Sequence, residues 1–486
     1  MRLSVPASFD MPAFDLSESV AIRQEEPERF QVVFLDTDDL RLARWGASLR
    51  HRSGAGWTAS LPAAEGRAPL AAGRYDYPDA TNAPPPAAVD LLRGFARSEP
   101  LKPVARLRTQ RRRVEARNGD DASAELVDDE VSVLSGRRIA ARYRRLSLFA
   151  PAGAGRDLMG AMEAELRAAG AGPGDPTPDH VAALGPRATG PPDVVSPELP
   201  PDPTAADLVR AAMASAVTLL ICHHAAVVVG EDPEGVHQAR IASRKVRSTL
   251  RTFAAVLDPE WTESLREEVG WLGGVLGDAR DADVLSARLR ERAPMLAEGS
   301  AGLDALLEAA ESARSDARSA MLLQYRGPRY AVLLDRLVEA AREPAFVPVA
   351  GDPASSLVPG LREQWRAVRR AGKAARQAGT DDDLHELRIL AKRCRYSAES
   401  LAPVGGKRAR SFAAAAGRLQ AVLGEHNDAV TAQRWLREWS SGRSSAAEAF
   451  TAGEMAGIER GVAAAARDRW HKAWRALAER DPADWR

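Results

Sequence analysis

Residues 236–253 read VHQARIASRKVRSTLRTF and hold His237, Arg240, Arg244, Lys245, Arg247 and Arg251 without one carboxylate. Apolar Val236, Ile241, Leu250 and Phe253 fall between them, so the period is that of a helix. At about 100° per residue, His237, Arg240, Arg244, Arg247 and Arg251 lie within about 80° of one another around the axis. One face is therefore a ladder of cationic donors, and such a face repels itself unless an anion lies along it. Asp232 fits the N-cap and Pro233 the first helical position. His237 then falls in the first turns, where free backbone N–H groups and the macrodipole favour an anion.

The device recurs. Residues 384–397 read LHELRILAKRCRYS, and His385, Arg388, Lys392, Arg393 and Arg395 repeat the spacing of His237, Arg240, Arg244, Lys245 and Arg247. VLGDARDADVL at 275–285 returns as VLGEHNDAVTA at 422–432, which aligns Asp281 with Asp428. The offsets are 148 residues (237 to 385) and 147 (281 to 428), and two landmarks at one period indicate an internal duplication.

Paired His-x-x-Arg helices, each followed by a Leu-Gly…Asp segment, resemble the CHAD domain over roughly residues 205–480. That domain is all-helical, is named for its histidines and is known to bind inorganic polyphosphate. The resemblance implies that His237, Arg240, Arg244, Lys245, Arg247, Arg251, His385, Arg388, Lys392, Arg393 and Arg395 hold polyphosphate, with no cofactor. Arg suits this role because its planar fork bonds two phosphate oxygens at once, while Lys adds a point charge. For His237 and His385, the residues alone fit a packing or capping role as well as donation to phosphate. Asp281 and Asp428 fit braces that orient the cations.

The 486 residues allow two or three domains. Lys+Arg and Asp+Glu are equal at 67 each, so the signal for a polyanion lies in how charge is segregated along helices and not in its sum. Cys222 and Cys394 form neither a disulfide framework nor a Cys-x-x-Cys metal pair, which suits reduced thiols in the cytoplasm. The start lacks an apolar signal region, and residues 216–229, interrupted by His223 and His224, read as a core helix that does not span a bilayer. The expected location is cytoplasmic, in association with polyphosphate granules.

Residues 1–172 read as strands with helices near 87–97 and 157–169. DTxDLRLxxxGxxLRxR, then VARLRTxRR, then DDEVS resemble the CYTH domain, whose antiparallel sheet closes into a barrel-like tunnel for triphosphate groups. The resemblance makes Arg50, Arg52, Arg106, Arg108 and Arg111 or Arg112 the phosphate-facing cations. Active members hold Mg²⁺ or Mn²⁺ through carboxylates, because hard cations take oxygen ligands. The first Glu-x-Glu-x-Lys set is missing, which a misplaced start codon alone would explain. The family's later F-R-E-x-E-x-E-L, however, is matched here by Tyr143, Arg144, Arg145, Leu146, Ser147, Leu148, Phe149 and Ala150, and the Lys expected after the Trp is Ser60. Catalysis is therefore expected to be lost, with no catalytic residue, no metal and only a cationic cup left.

Ten prolines between 172 and 203 predict a stiff, partly extended linker over 173–204. Helices are expected near 205–229, 233–257, 260–275, 279–292 and 302–343, and again near 354–378, 383–402, 406–423, 426–439 and 446–480. The whole reads as an α+β multidomain chain: a CYTH-like domain, then two helical halves at 205–343 and 354–480 with approximate two-fold pseudo-symmetry. The expected function is polyphosphate binding. The alternative is a metal-dependent triphosphatase in the first domain. Single-strand nucleic-acid binding ranks lower, because only Phe253 and Tyr396 supply aromatics among the cations.

Overall fold

Alternation of apolar and polar residues over 102–149 builds three long antiparallel strands, and the rest of the first unit is arranged on them. In the computed structural model the described residues are all except 17–19, 63–71, 79–82, 119–121, 151–154, 297–300, 378, 442–444 and 483–486. The chain divides into two compact units, Met1–Asp193 and Val194–Arg486.

The strands of the first unit are β1 (Arg2–Val5), β2 (Val20–Gln24), β3 (Glu28–Asp36), β4 (Ser48–Arg52), β5 (Gly56–Leu61), β6 (Gly73–Tyr77), β7 (Lys102–Asn118), β8 (Ala122–Ser135), β9 (Arg138–Phe149) and β10 (Gly172–Pro173). Their order is β10-β1-β9-β8-β7-β3-β4-β5-β6, with β2 pairing β7 off this path. Among the described residues β6 and β10 do not pair, so the sheet is open and the closed barrel expected from the sequence is not formed.

Helices α1 (Arg41–Arg44), α2 (Pro86–Ala96), α3 (Gly155–Ala168) and α4 (Asp179–Leu184) complete this unit. At one end of the sheet α3 covers the face carrying Val114, Ala116, Leu126, Leu146 and Leu148. At the other end Ala183 and Leu184 of α4 cover the opposite face, on Phe30, Val32, Leu107 and Val131. The buried side of β7 therefore switches along its length, from Ala105 and Leu107 to Val114 and Ala116.

Residues 173–193 are not the extended linker expected from their prolines. Ala188 packs on Leu40 and Ala43, and Asp193 accepts a hydrogen bond of 2.8 Å from the Trp45 indole and pairs with Arg97. The segment belongs to the first unit because its apolar residues and its aspartates have partners there.

The second unit is helical: α5 (Ala205–Val229), α6 (Glu234–Thr252), α7 (Pro259–Arg292), α8 (Leu303–Arg326), α9 (Pro328–Arg342), α10 (Val358–Gln377), α11 (Asp381–Ser400), α12 (Ala402–Ser440) and α13 (Ala446–Ala478). The order α5–α6–α7 recurs as α10–α11–α12, each helix packed on the next. By length and composition alone α5 could cross a membrane, but here it packs on α6 and α9. His224 on α5 is the core histidine, its Nδ1 3.1 Å from the Tyr330 hydroxyl and its ring stacked with Tyr325 and Tyr330. Trp365, Phe412 and Trp474 form the aromatic centre of the second half.

Two pairs of helices expected as separate are continuous, 260–275 with 279–292 as α7 and 406–423 with 426–439 as α12. Gly277 and Gly424 stand at the expected breaks, inside the continuous helices, with neighbouring arginines at ordinary contact distance. A Cβ at Gly277 would meet the Arg240 guanidinium at 3.9 Å, and one at Gly424 would meet Arg388 at 3.9 Å.

Candidate anion-binding groove

Helix α6 begins as its sequence suggests, one residue late: Pro233 takes the cap position and Asp232 accepts from the Glu234 N–H at 2.8 Å. On α11 a full capping box joins Thr380 and Asp383. Apolar Val236, Val246 and Leu250 on α6, and Leu384, Leu387 and Ala391 on α11, are buried and fix the roll of each helix. The remaining faces look into a common groove, because α6 packs against α11.

One cavity of about 400 Å³ is lined by His237, Arg240, Arg244, His385, Arg388 and Lys392, with Arg280, Asp281 and Arg288 from α7 and Asn427 and Asp428 from α12. A second of about 150 Å³ shares Arg244 and Lys392 and adds Arg247, Arg251, Arg393 and Tyr396. Nine of the eleven cations expected from the sequence thus line one continuous surface. Lys245 and Arg395 line neither cavity. Arg395 lies over the Tyr396 ring at 4.7 Å with its Nε 3.2 Å from Glu399, the residue standing where the first repeat has Arg251.

The surface is short of acid. Arg240 pairs with Asp281 at 2.6 Å. Arg244, Arg247, Arg251, Arg388, Lys392 and Arg393 have no carboxylate within 4.0 Å among the described residues. Among the described residues the buried Nε atoms of Arg247 and Arg388 have no hydrogen-bond partner. The titration behaviour follows. Burial, then Arg244, Arg388, Arg240 and Arg247, bring the Lys392 amine down to about 7. Burial, then Arg393 and Arg266, bring Arg251 down to about 10. Burial and the nearby Arg280 hold His237 below the usual histidine range. Cations crowded this way lower one another's charge, and a polyanion would reverse that.

Arg280 and Asn427 escaped the sequence reading, and Tyr396, noted there only as an aromatic among the cations, was not placed in the site. The repeat carried the signal for the first two, since Arg280 and Asn427 align at the 147-residue period. They make the two histidines unequal: the His385 Nδ1 lies 2.7 Å from the Asn427 side-chain oxygen, whereas His237 faces a guanidinium. Asp281 braces Arg240 as expected, while Asp428 is contacted at 3.4 Å by the Asn427 amide.

The six arginines expected to form a second cup in the first unit do not meet. Cross-strand partners share a face, and Arg50 pairs with Phe34, Arg52 with Val32 and Arg111 with Glu28. Arg106, Arg108 and Arg112 alternate to the opposite face, with the first two exposed and Arg112 held 3.2 Å from Glu130. On the α4-covered face Arg111 is bidentate to Asp129, both distances 2.8 Å, and Arg52 is paired with Glu28. Asp179 of α4 takes Arg145 at 2.7 Å and accepts from the Tyr143 hydroxyl at 3.0 Å. His180 stacks on Phe34, and burial, with Arg50 nearby, brings its ring down to about 4. Among the described residues no three His, Cys, Asp or Glu side chains are grouped so as to hold a metal ion.

The CHAD domain family matches residues 211–437. Two uncharacterized proteins of Mycobacterium tuberculosis, from strains CDC 1551 / Oshkosh and H37Rv, are each 30% identical over 98% of this chain and 96% of their own length. The chain belongs to the CHAD-domain proteins. Among solved structures, PptA from Streptomyces chartreusis is 22% identical over 56% of this chain and 99% of its own, with a TM-score of 0.48. The CHAD domain from the plant Ricinus communis is 27% identical over 59% and 95%, with a TM-score of 0.49. The CHAD match runs from α5 to α12 and contains every residue that lines the groove.

Proposed function

We propose that this CHAD domain binds inorganic polyphosphate in the groove between α6 and α11, and that the protein is a binder without catalytic activity. The observation that carries this reading is a continuous cationic surface whose central members, Arg244, Arg247, Arg388 and Lys392, have no acidic partner within 4.0 Å among the described residues. A chain of tetrahedral phosphates supplies what the surface lacks, charge along a line and oxygens for several guanidinium forks. Titration of the protein with polyphosphate tests it. By analogy with nucleic acid, affinity should fall about 10³-fold or more between about 50 and 200 mM salt, the loss typical of six to ten phosphate contacts. A salt-independent affinity, or equal binding of RNA at equal charge, would contradict the reading.

Binding should also take up a proton. The Lys392 amine sits near 7 when free, and a polyanion beside it favours the charged form, so its pKa rises in the complex. Affinity is then flat below pH about 7 from this group and falls above it, by at most about tenfold per pH unit. Calorimetry in two buffers of different ionisation heat should show proton uptake at pH 8, and the Lys392→Met variant should lose it.

The sheet unit fits a CYTH domain that has lost its chemistry. Its former carboxylate positions include Arg145, now paired with Asp179, and Asp129 is engaged by Arg111. Those residues do not fit a divalent ion. The alternative, metal-dependent triphosphate hydrolysis, predicts phosphate release from tripolyphosphate or nucleoside triphosphates with Mg²⁺ or Mn²⁺. Release no faster than the uncatalysed rate is expected.

A further inference from the structure

Lysine is scarce in this chain. There are six, at 102, 245, 373, 392, 407 and 472, against arginine everywhere else among its 67 cations. Lys392 is unlike Lys102, whose ammonium is held 2.6 Å from Asp38. It lines both cavities of the groove, and among the described residues no carboxylate lies within 4.0 Å of it. The titratable and charged groups that share the groove with it come from four helices: His237, Arg240, Arg244, Arg247 and Arg251 from α6, His385, Arg388, Arg393 and Tyr396 from its own helix, Arg280, Asp281 and Arg288 from α7, and Asp428 from α12. Asp281 is taken up by Arg240. The setting combines a nucleophilic amine with guanidinium groups able to bind phosphate, and this is the pair of functions needed to react with an acyl phosphate.

We propose that Lys392 is an acylation site for small acyl phosphates, whose phosphate end docks on Arg244 and Arg388 with the carbonyl carbon against the Lys392 amine. The inference rests on the groove's reading as a phosphate site. In the step, the Nζ lone pair attacks the carbonyl carbon and an N–C bond forms. The bond from that carbon to the phosphate oxygen breaks, and inorganic phosphate leaves with the electron pair. The proton lost from nitrogen goes to solvent or to the departing phosphate. No oxidant, reductant or metal takes part. Guanidinium groups favour the step by stabilising the leaving dianion, and burial, followed by those same groups, keeps part of the Lys392 population unprotonated and so nucleophilic near neutral pH. The product is a neutral amide in the middle of the cationic surface, so acylation would turn down polyphosphate binding.

The test uses the full-length protein, acetyl phosphate at pH 7.5, and mass spectrometry resolved by site. Lys392 should be acetylated at least about tenfold faster than each of the other five lysines, with a rate that saturates as acetyl phosphate rises. Tripolyphosphate should suppress that rate. p-Nitrophenyl acetate, an acyl donor without a phosphate, should show a much smaller preference for Lys392. The double variant Arg244→Gln/Arg388→Gln should slow Lys392 and leave the other lysines unchanged. Labelling of Lys392 no faster than the rest, a rate that does not saturate, or equal preference with both donors would overturn the proposal. Polyphosphate binding measured on the same sample separates the two readings. Binding without selective labelling sinks only the acylation site. Selective, saturable labelling without polyphosphate binding sustains the acylation site and removes the longer ligand.

Discussion

Replacing Arg240, Arg244 and Arg247 together by glutamate is expected to weaken polyphosphate binding about 1,000-fold or more while leaving the helix folded. The magnitude follows from about 1.5 kcal/mol for each charge-assisted hydrogen bond lost, before any repulsion between the new carboxylates and phosphate. Folding should survive because the fold draws little from these side chains. The apolar face of α6, with Val236, Ala239, Val246 and Leu250 at 2% exposure or less, makes its contacts on the other side. Among the described residues Arg244 and Arg247 have no acid to lose; Arg240 gives up Asp281, and Arg244 gives up a side-chain hydrogen bond with Tyr396. Binding isotherms with circular dichroism on the same samples check both halves of the statement. An unchanged affinity would mean that the ligand, if any, lies elsewhere. The same substitutions on Arg388, Lys392 and Arg393 should act comparably, because both helices line one surface.

The second large effect concerns stability. Arg288 on α7 donates to Glu459 on α13 at 2.6–2.8 Å and to Glu425 on α12 at 3.1 Å, with the Glu459 side chain fully buried. This cluster ties the first half of the duplication to the second, and it neutralises Arg288, a groove-lining arginine, with a buried acid. Glu459→Ala leaves the buried Arg288 guanidinium with only the half-exposed Glu425 at 3.1 Å in place of its fully buried partner, at a cost of up to about 3–5 kcal/mol. Chemical unfolding followed by circular dichroism measures it. The double variant Arg288→Met/Glu459→Leu should recover most of that loss, since well-packed apolar residues often match a buried ion pair. A loss under about 1 kcal/mol in the single variant would show that water or Glu425 already compensates Arg288.

The groove was the legible part of this protein, and the reason is local. A helix of known period places Arg240, Arg244 and Arg247 on one face whatever surrounds it, and the duplication then supplies Arg388 and Lys392 by translation along the sequence. Lys245 and Arg395 show the limit. The same spacing that carries them puts them off the shared surface, at the side of α6 and over Tyr396. The breaks expected between 275 and 279 and between 423 and 426 are absent, because each long helix runs on through its glycine, Gly277 or Gly424. In the sheet, alternation fixed which arginines of β7 share a side, and Arg106 and Arg108 do. It could not say which side is covered, because that depends on where α3 and α4 pack, and they choose opposite faces at opposite ends.

The proline-dense stretch before 193 also bears on how the molecule can be divided. Ala183 and Leu184 roof the patch made by Phe30, Val32 and Leu107, and Asp193 latches onto Trp45 and Arg97. A truncation after 172 would strip that roof, bare a greasy wall beside an Arg145 that has lost Asp179, and invite precipitation. A cut after 193 would leave the wall sealed. The seam that a protease or an engineer should look for therefore begins some twenty residues later than the prolines advertise.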